Sequence, residues 1–389
     1  MRVSYVARSF LDYRIPVFEA LKRKLDNNFY VIYSADYIPE RVNNKVLKAL
    51  GDHAIGMHGE KRIGPNDFSE FANTAYRVVY QPGLLREIAK TRPDIVIGDG
   101  FFQWTSYALL YKLIKKTPLV VCYERTFHTE RNAQWLRTTY RRLAIKLVDA
   151  MACNGSLTLD YSKWLGMPAD RITTGHMVAD TAGLRSATER VSSEERQALR
   201  DDWGNPELVF LTVGVLNERK GIRELLFAWA LLEKNLHDRC MLVIIGSGPK
   251  EGELKKLAQE LGLRKIVFQN AVDYDDIARY YAAADVFVMP TLEDNWSLVV
   301  PEAMACGLPV ACSKYNGCYP ELISSGENGW IFDPLDAQDA FQVLKKFFDN
   351  RHVLKEMGNN SRKIVAGHSA DHAADSILDA CRIALKKTP

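Results

Sequence analysis

Two adjacent cations, Arg219 and Lys220, stand in a loop that has the composition of an anion-binding site. The loop opens with Gly214, directly after the apolar stretch 209–213, and leads into a helical pattern that begins at Ile222. Backbone N–H groups at a helix N-terminus and the helix dipole favour an anion, and the two side chains add full charge. We therefore predict phosphate binding here; a solvent-exposed basic turn is the alternative interpretation.

Two carboxylates, Asp294 and Glu302, are separated by seven residues and bracket a loop and the predicted start of a helix. A carboxylate at a helix N-terminus can accept backbone N–H bonds and still present an oxygen to a ligand hydroxyl. Two such acceptors in one cleft suit a ligand with diol groups, such as a ribose or a hexose. In the alternative interpretation, Asp294 caps the helix and Glu302 is an acidic residue of its first turn.

A second glycine-containing loop, 246–249, follows the apolar stretch 241–245. It has the first two glycines of a dinucleotide-binding fingerprint, Gly246 and Gly248, but no third, and Pro249 interrupts the pattern. A tight turn with close ligand approach and a purely structural turn are both consistent with it.

The elements that must position these loops are short apolar stretches that alternate with helical patterns along the chain. The predicted strands are 2–6, 29–33, 94–97, 119–122, 150–152, 172–174, 209–213, 241–245, 266–269, 286–289, 309–311 and 330–332. Near-continuous apolar strands of this kind indicate parallel sheets covered by helices on both faces. Two successive sets predict an α/β protein with two doubly wound, Rossmann-like domains, whose ligands bind at the carboxyl ends of the strands.

The length of 389 residues also agrees with two domains. We place the first at 1–186 and the second at 187–369, with the boundary in a strongly charged stretch. A last helix, about 370–389, is expected to cross back to the first domain. With 47% apolar and 25% charged residues, the composition excludes disordered, collagen-like and coiled-coil proteins.

The charge is balanced in total but uneven along the chain. There are 51 basic and 48 acidic residues, a net charge of +3, which disfavours a dedicated nucleic-acid binder. Residues 1–190 carry 28 basic and 19 acidic side chains, and the remainder carries 23 and 29. A basic half indicates an anionic partner, a nucleic acid or a membrane surface, unless the difference is chance variation between two domains.

One segment of the basic half, 134–146, combines Trp135 and Leu136 with four cations. A helix of this composition can lie on an anionic bilayer, or it can pack on a core with its basic face in solvent. No stretch reaches the ~18 apolar residues that a membrane span requires. We therefore expect at most peripheral association, with the inner face of the cell membrane.

Seven cysteines form no Cys-x-x-Cys pair and no Cys/His spacing suited to zinc. Their odd number, and a first segment that reads as a strand rather than a secretory leader, lead us to expect a reducing, cytoplasmic environment. No metal site is expected.

Several motifs of the second half occur in one order, and as a set they resemble the nucleotide-sugar domain of retaining glycosyltransferase family 4, whose architecture is termed GT-B. The motifs are Lys220-Gly221, 246–249, 281–290, 301–310, Asn316-Gly317 with Glu321, and 326–330. The likeness is dense over about 207–345 and looser in the first half. It implies two Rossmann-like domains facing a central cleft, a UDP- or GDP-linked sugar as donor, and neither a metal nor another cofactor.

The resemblance assigns the family's E-x7-E motif to Asp294 and Glu302. It implies that Glu302 binds the ribose, that Asp294 faces the sugar hydroxyls, and that Lys220 holds the diphosphate and stabilises the leaving group. The further donor-binding candidates that it implies are Arg219, Gly214, Gly246, Asn270, Val272, Ser297 and Leu298.

Three positions depart from the family pattern. Asp294 is one methylene shorter than the usual glutamate, so the sugar or the loop has to lie closer. Val215 stands where an arginine is usual, and Arg219 is the candidate to supply that charge. Ser297 replaces a glycine and can add a hydroxyl donor or stiffen the loop. These changes concern donor geometry rather than the fold.

In the first half, the resemblance implies a histidine near the donor sugar. His128 matches it, and Glu124 is the alternative polar group on the same loop, with the acceptor or a phosphate as its ligand. The glycine-rich loop that usually follows the first strand is absent. Arg8 or Arg14 can supply charge in its place, to the acceptor or to a phosphate, unless each is an ordinary surface arginine.

The predicted activity is transfer of a hexose-type sugar to an acceptor hydroxyl with retention at the anomeric carbon. Front-face attack, assisted by the departing diphosphate, is the mechanism that the resemblance implies. The expected acceptor is a lipid-linked or surface-polysaccharide glycan bound mainly to the basic half, and no nucleic-acid partner is expected. Two alternatives remain, a nucleotide-sugar epimerase of the same architecture and a non-catalytic subunit that binds a nucleotide sugar.

Overall fold

A computed structural model describes residues 1–63, 78–231, 239–274 and 276–386. The chain divides into two compact units, Met1–Val178 with Ala370–Pro389, and Ala179–Ser369. Each unit is built on one parallel sheet with helices packed on both faces. The predicted fold class, two Rossmann-like domains, is therefore confirmed.

The first unit contains nine strands and six helices before the chain enters the second unit, counted over the described residues. The strands are β1 (Val3–Ala7), β2 (Phe29–Ser34), β3 (Ala54–Met57), β4 (Lys61–Ile63), β5 (Val78–Tyr80), β6 (Ile95–Asp99), β7 (Leu119–Tyr123), β8 (Ala150–Cys153) and β9 (Ile172–Thr174). The helices are α1 (Ile15–Lys24), α2 (Glu40–Leu50), α3 (Leu84–Lys90), α4 (Thr105–Lys115), α5 (Trp135–Ala144) and α6 (Ser156–Leu165). Seven strands form a parallel sheet in the order β3-β2-β1-β6-β7-β8-β9, and β4 pairs with β5 in a separate antiparallel ribbon.

The central strands of this sheet are enclosed by two helical layers. Every residue of β1 and of β7 is buried. The helices α1 and α2 pack on one face of the sheet, and α4, α5 and α6 pack on the other. Burial on both faces explains the continuous apolar runs from which these strands are predicted. The edge strand β3 was not predicted, because three of its four residues are at least partly exposed and one of them is a glycine.

The second unit contains one six-stranded parallel sheet, in the order β12-β11-β10-β13-β14-β15. The strands are β10 (Leu208–Val213), β11 (Cys240–Ile245), β12 (Ile266–Gln269), β13 (Val286–Met289), β14 (Val310–Ser313) and β15 (Gly329–Phe332). The described helices are α7 (Thr181–Arg190), α8 (Ser193–Asp202), α9 (Ile222–Ala230), α10 (Glu251–Glu260), α11 (Ile277–Ala283), α12 (Val299–Ala305), α13 (Tyr319–Leu322), α14 (Ala337–Asp349) and α15 (Leu354–Ala366).

The division between the units lies after Val178, earlier than the sequence-based boundary at residue 186. The physical reason is α7, which packs against α11 and α12 of the second unit. Leu184 on this helix is buried, and the hydroxyl of Thr188 donates a hydrogen bond to the sulfur of Cys306 at 3.0 Å. The helix therefore belongs to the second core.

The last helix, α16 (Ala370–Lys386), returns to the first unit as predicted, where it packs against α1 and β8. Ala373, Ile377 and Cys381 follow one another at a spacing of four, and all three are buried in the core of that unit. The end of the predicted helix, 387–389, lies outside the described residues. Over the described part of the chain, no helix is both long enough and apolar enough to cross a membrane.

Candidate functional site

The order of the strands determines where a ligand crevice is expected in the second unit. β10 and β13 are neighbours, but the chain runs outward from β10 to β11 and outward in the other direction from β13 to β14. In open α/β sheets, the crevice at the carboxyl ends of two such strands is the usual ligand site. Lys220 lies in the segment after β10, and Asp294 lies in the loop after β13.

The loops after β10 and β11 touch through their backbones, which explains the glycines found there. A Cβ atom at Gly246 would lie 1.9 Å from the carbonyl oxygen of Gly214. A Cβ atom at Gly248 would lie 2.4 Å from the carbonyl oxygen of Leu216. A side chain at either position would push the loops apart. The structure therefore brings the predicted donor-binding residues Gly214 and Gly246 side by side.

Lys220 is positioned by a short 3₁₀ turn, Glu218–Lys220, between β10 and α9. The side-chain oxygen of Asn217 accepts a hydrogen bond from the backbone N–H of Lys220 at 3.2 Å. Gly221 follows at φ +66°, where a Cβ atom would lie 2.0 Å from the carbonyl oxygen of Pro290. This close contact holds the segment that carries the lysine against the loop after β13.

The side chains of Lys220 and Asp294 meet at this edge of the sheet. Lys220 Nζ donates to Asp294 Oδ2 at 2.6 Å, and 17% and 15% of the two side chains remain exposed. Ser297 Oγ donates to the same oxygen at 2.7 Å. Burial alone would raise the pKa of the Asp294 carboxyl, but the Lys220 ammonium and these hydrogen bonds hold it below its usual range. Asp294 is therefore an anion at neutral pH.

The hydrogen bonds of Asp294 differ from those of a cap on the following helix. α12 begins at Val299, and the residue at its N-cap position, Leu298, makes no side-chain capping bond. Asp294 instead closes a turn, in which the backbone N–H of Trp296 donates to Oδ1 at 3.2 Å. The carboxylate thus organises the loop before the helix and keeps an exposed edge.

This loop is fixed in turn by the segment after β14. The backbone N–H of Gly317 donates to the carbonyl oxygen of Asp294 at 3.0 Å, and Asn316 Oδ1 accepts from the backbone N–H of Ser297 at 3.2 Å. A Cβ atom at Gly317 would lie 2.0 Å from the carbonyl oxygen of Asn295. Asn316-Gly317 therefore supports the acidic loop, a role that its spacing in the sequence does not reveal.

Glu302 lies in the first turn of α12 and has a different partner from Asp294. The hydroxyl of the buried Tyr281 donates to Glu302 Oε2 at 3.2 Å. Burial raises the pKa of the Glu302 carboxyl to about 7. The hydrogen bond from Tyr281 lowers this pKa, and the charge of Asp180 raises it, but both effects are smaller than that of burial. Tyr281 is the first residue of the motif 281–290, and its contact with Glu302 was not predicted.

The raised pKa makes the stability of the unliganded protein depend on Glu302. The folded state binds this proton more tightly than the unfolded chain, whose carboxyl titrates near 4.5, so stability falls as the pH rises from about 5 through 7. We expect Glu302→Gln to remove this loss. As the pH rises from 5 to 8, the free energy of unfolding of the variant should increase by on the order of 1–3 kcal/mol relative to that of wild type. Denaturant unfolding at both pH values measures it, with the exposed Glu260→Gln on α10 as control. If the free energy of unfolding changes between pH 5 and pH 8 by the same amount in Glu302→Gln and in wild type, the assignment is contradicted.

Arg219 lies in the same turn as Lys220, and its backbone is held firmly. Its carbonyl oxygen accepts hydrogen bonds from the backbone N–H of Leu292 at 2.8 Å and from Thr291 Oγ1 at 3.0 Å. Arg219 Nε is buried and has no hydrogen-bond partner among the described residues. Val215, at the position where the family has arginine, is exposed. The structure thus places Arg219 beside the ion pair, with a donor atom left unsatisfied.

The remaining donor-binding candidates lie around the same edge. Asn270 is exposed directly after β12, and Val272 and Leu298 are half-buried. The backbone N–H of Ala271 donates to Ser247 Oγ at 3.2 Å, which ties the segment after β12 to the second glycine loop. The structure does not place these three residues in contact with Lys220 or Asp294 through any hydrogen bond between described residues.

In the first unit, His128 is half-buried on the loop after β7, and Glu124 is half-buried at the beginning of that loop. Arg131 Nη1 donates to the carbonyl oxygen of His128 at 2.6 Å. The loop is anchored by Glu130, whose Oε1 accepts from Arg141 Nη2 of α5 at 2.8 Å, with both side chains buried. This ion pair was not predicted, because both interpretations of segment 134–146 place its cations on the surface of the protein.

Arg14 is buried, which excludes its interpretation as a surface arginine. Arg14 Nη1 donates to the carbonyl oxygen of His176 at 3.0 Å and lies 3.2 Å from His176 Nδ1. Burial and the nearby guanidinium lower the pKa of His176 to about 3, so its ring is neutral. Burial raises the pKa of Asp99, 3.8 Å from Arg14, to about 6. Arg8, in contrast, lines a small pocket at the carboxyl ends of β1 and β6.

A comparison with protein families matches residues 195–364 to the sequence model described as "Glycosyl transferases group 1". Sulfoquinovosyl transferase SQD2 of Arabidopsis thaliana is 26% identical over 348 residues, which cover 82% of this chain and 64% of that protein. The serotype-specific mannosyltransferase WbdA of Escherichia coli is 25% identical and covers 75% and 38%. The chain thus spans less than two thirds of the length of these relatives. The resemblance to glycosyltransferases is confirmed.

Solved structures show the same fold at low identity. Anabaena Alr3699/HepE in complex with UDP superposes with a TM-score of 0.75 at 17% identity, over 98% of this chain and 100% of that one. WaaG, a glycosyltransferase involved in lipopolysaccharide biosynthesis, superposes with a TM-score of 0.64 at 16% identity, over 98% and 99%. The fold of this chain is GT-B, as the motifs predicted.

Proposed function

We propose that this chain is a retaining glycosyltransferase that moves a hexose-type sugar from a nucleoside diphosphate sugar to an acceptor hydroxyl. The observation that carries the proposal is the Lys220–Asp294 ion pair at the strand-order switch of the second unit. It combines a cation for a diphosphate with a carboxylate for sugar hydroxyls within 2.6 Å. Both are held by backbone contacts that leave little freedom to rearrange.

The proposed mechanism follows from the charges that develop during transfer. Cleavage of the bond between sugar and diphosphate places negative charge on the leaving group and positive charge on the sugar ring. Lys220, with Arg219 beside it, is positioned to stabilise the first charge, because preorganised cations need not reorient during the reaction. Asp294 and Glu302 are assigned to the sugar and ribose hydroxyls. We assign retention to front-face attack, in which the diphosphate accepts the acceptor proton, with neither metal nor cofactor.

The acceptor is proposed to bind the first unit and to be a lipid-linked or surface-polysaccharide glycan. In support, α5 exposes Trp135, 73% accessible, together with Leu136 and Leu143. One correction applies to the basic segment 134–146: Arg141 is buried and paired and Arg137 is half-buried, so two of its four cations, Arg142 and Lys146, are exposed. Aromatic and cationic side chains together suit the headgroup region of an anionic membrane.

The membrane proposal predicts binding that depends on charge. We expect the wild-type chain to float with phosphatidylglycerol vesicles at low salt, and binding to fall about 30-fold in the double variant Arg142→Gln, Lys146→Gln, since each surface cation contributes about 1 kcal/mol. Lys255→Gln with Lys256→Gln on α10 of the second unit is the control. Equal flotation of the double variant and wild type, or flotation insensitive to salt, would refute the proposal.

A panel of UDP-, GDP- and ADP-sugars tests the proposed function. A bound donor raises the melting temperature by mass action, and the donor that does so should release nucleoside diphosphate slowly into water or faster with an acceptor. Conversion of the donor to an epimeric nucleotide sugar would instead identify an epimerase. Binding without any turnover would identify a non-catalytic subunit, and no binding of any donor would contradict all three functions.

A further inference from the structure

The first unit has a strand-order switch of its own, with a pocket at that point. β1 and β6 are neighbours, and the chain leaves them in opposite directions along the sheet. A pocket of about 70 Å³ opens at their carboxyl ends. It is lined by Arg8, Ser9, Asp99, Gln103, Trp104 and Thr105. This volume holds a few water molecules, which suits one phosphate or carboxylate group with the rest of a ligand outside.

The guanidinium of Arg8 is fixed along one edge by a buried carboxylate. Arg8 Nε lies 2.8 Å and Arg8 Nη2 lies 2.6 Å from oxygens of Glu60, whose side chain is fully buried. Trp104 Nε1 donates to Glu60 Oε2 at 2.8 Å. Glu60 is therefore satisfied by protein groups, and its position defines the plane of the guanidinium.

The face of the same guanidinium is fixed by an aromatic ring. Arg8 Cζ lies 4.0 Å and Arg62 Cζ lies 4.2 Å from the centroid of the Tyr37 ring. Stacking of this kind holds a guanidinium without using its N–H groups. Arg8 is thus restrained both in its plane and in its rotation, at 12% exposure.

One edge of the Arg8 guanidinium, formed by Nη1 and Nη2, remains available for a ligand. Glu60 uses Nε and Nη2, and among the described residues Nη1 takes part in no hydrogen bond. The pair of N–H groups on Nη1 and Nη2 is the edge that binds a carboxylate or phosphate with two parallel hydrogen bonds. Arg8, Arg62 and Arg14 face the two carboxylates Glu60 and Asp99, so an anionic ligand would complete the charge balance.

We propose that this pocket binds a carboxylate or phosphate group carried by the acceptor sugar, with Arg8 as the binding residue and Glu60 as its positioning residue. Ser9, Gln103 and Asp99 line the same pocket and would meet neighbouring hydroxyls. The word acceptor rests on the proposed function, whereas the anion site rests on the first unit alone. The substrate class is therefore an acidic or phosphorylated sugar rather than a neutral one.

Calorimetric titration of the full chain with glucuronate, glucose 6-phosphate and glucose tests the proposal. We expect at least one of the two anionic sugars to bind at least about tenfold more tightly than glucose, and the arm that does so identifies the anion. Arg8→Gln should remove this preference, and the same substitution at the exposed Arg86 on α3 should not. Equal affinities for all three sugars, or an undiminished preference in Arg8→Gln, would overturn it.

Glu60→Gln separates positioning from simple electrostatics. The substitution removes a negative charge beside Arg8, so an electrostatic role alone predicts tighter anion binding, whereas a positioning role predicts weaker binding. Arg8→Gln removes the closest cation of the buried Glu60 carboxylate, so the double variant Arg8→Gln, Glu60→Gln keeps the test valid if the single variant does not fold. Tighter binding by Glu60→Gln would contradict its assignment.

Nucleotide-sugar affinity, measured on the same variants, separates this proposal from the proposed function. We expect Arg8→Gln to retain it and Glu302→Ala, which removes the proposed ribose ligand, to weaken it while keeping the anionic sugar. Loss of donor affinity in Arg8→Gln would assign Arg8 to the donor and refute the acceptor role. Absence of donor binding in wild type would refute the proposed function and leave the anion site standing.

Discussion

Lys220→Ala is expected to lower the turnover number of sugar transfer by about 10²–10³-fold, the loss typical of one preorganised group that stabilises developing charge. The ammonium of Lys220 is held at the site by its pairing with Asp294 and by the backbone contact of Gly221 with Pro290. No reorganisation is needed when the diphosphate leaves, so the missing charge is felt mainly in the transition state. Turnover and KM, measured with saturating acceptor, separate this effect from a loss of donor binding.

Two controls make the result specific. Lys255→Ala removes an exposed lysine of α10 that pairs with Glu251 one helical turn away, and it should leave turnover unchanged. Lys220→Ala leaves Asp294 partly buried without its cation, so the double variant Lys220→Ala, Asp294→Asn should recover thermal stability but not turnover. Near-normal turnover in Lys220→Ala would remove the leaving-group role.

Arg141→Ala is expected to destabilise the first unit by about 2–4 kcal/mol, because it removes the closest cation from the buried Glu130 carboxylate and leaves Arg125, whose Nε lies 3.6 Å away, to compensate in part. Glu130 and Arg141 are 1% and 2% exposed, and two hydrogen bonds join them. The guanidinium also lies 5.2 Å from the centroid of the Phe102 ring, so packing is lost as well. Hydrogen exchange of the amides of β7 and β8, read by mass spectrometry, reports the stability of this unit separately from the other.

The adjacent residue provides the matched control for this prediction. Arg142 is exposed and stacks on Trp164 at 4.3 Å, so Arg142→Ala should cost less than about 1 kcal/mol. A double variant, Glu130→Leu with Arg141→Met, should recover most of the stability, because the buried Glu130 charge is removed together with Arg141. If Arg141→Ala exchanges no faster than Arg142→Ala, the buried pair does not stabilise the loop of His128.

Much of the fold, and the meeting of Lys220 with Asp294, could be predicted from the sequence. The carboxyl ends of parallel strands share one edge, so residues placed after β10 and β13 had to converge once the sheet was inferred. The glycines of 246–249 predicted a tight turn, for close ligand approach or as a purely structural turn, and the contact of Gly246 with the backbone of Gly214 was not predicted.

The partners of Arg8, Arg14 and Arg141 could not be predicted, because they are set by tertiary structure. Arg14 pairs with His176, 162 residues away, and Arg8 pairs with Glu60, 52 residues away. No periodicity marks either partner. Arg141 has the spacing of a solvated basic face, and only the inward turn of the loop that carries Glu130 makes it an interior residue. Sequence patterns identify residues that can carry charge, whereas burial decides which of them are available to a ligand.

The stereochemistry of donor cleavage tests the central claim most directly. With the α-linked nucleotide sugar that stabilises the protein, the first sugar product should carry the α configuration, read from the anomeric proton by NMR before mutarotation. Nucleoside diphosphate should appear in equal amount, and both should fall together in Lys220→Ala. A β-configured first product, or no release of nucleoside diphosphate from any donor, would contradict retaining sugar transfer at this site.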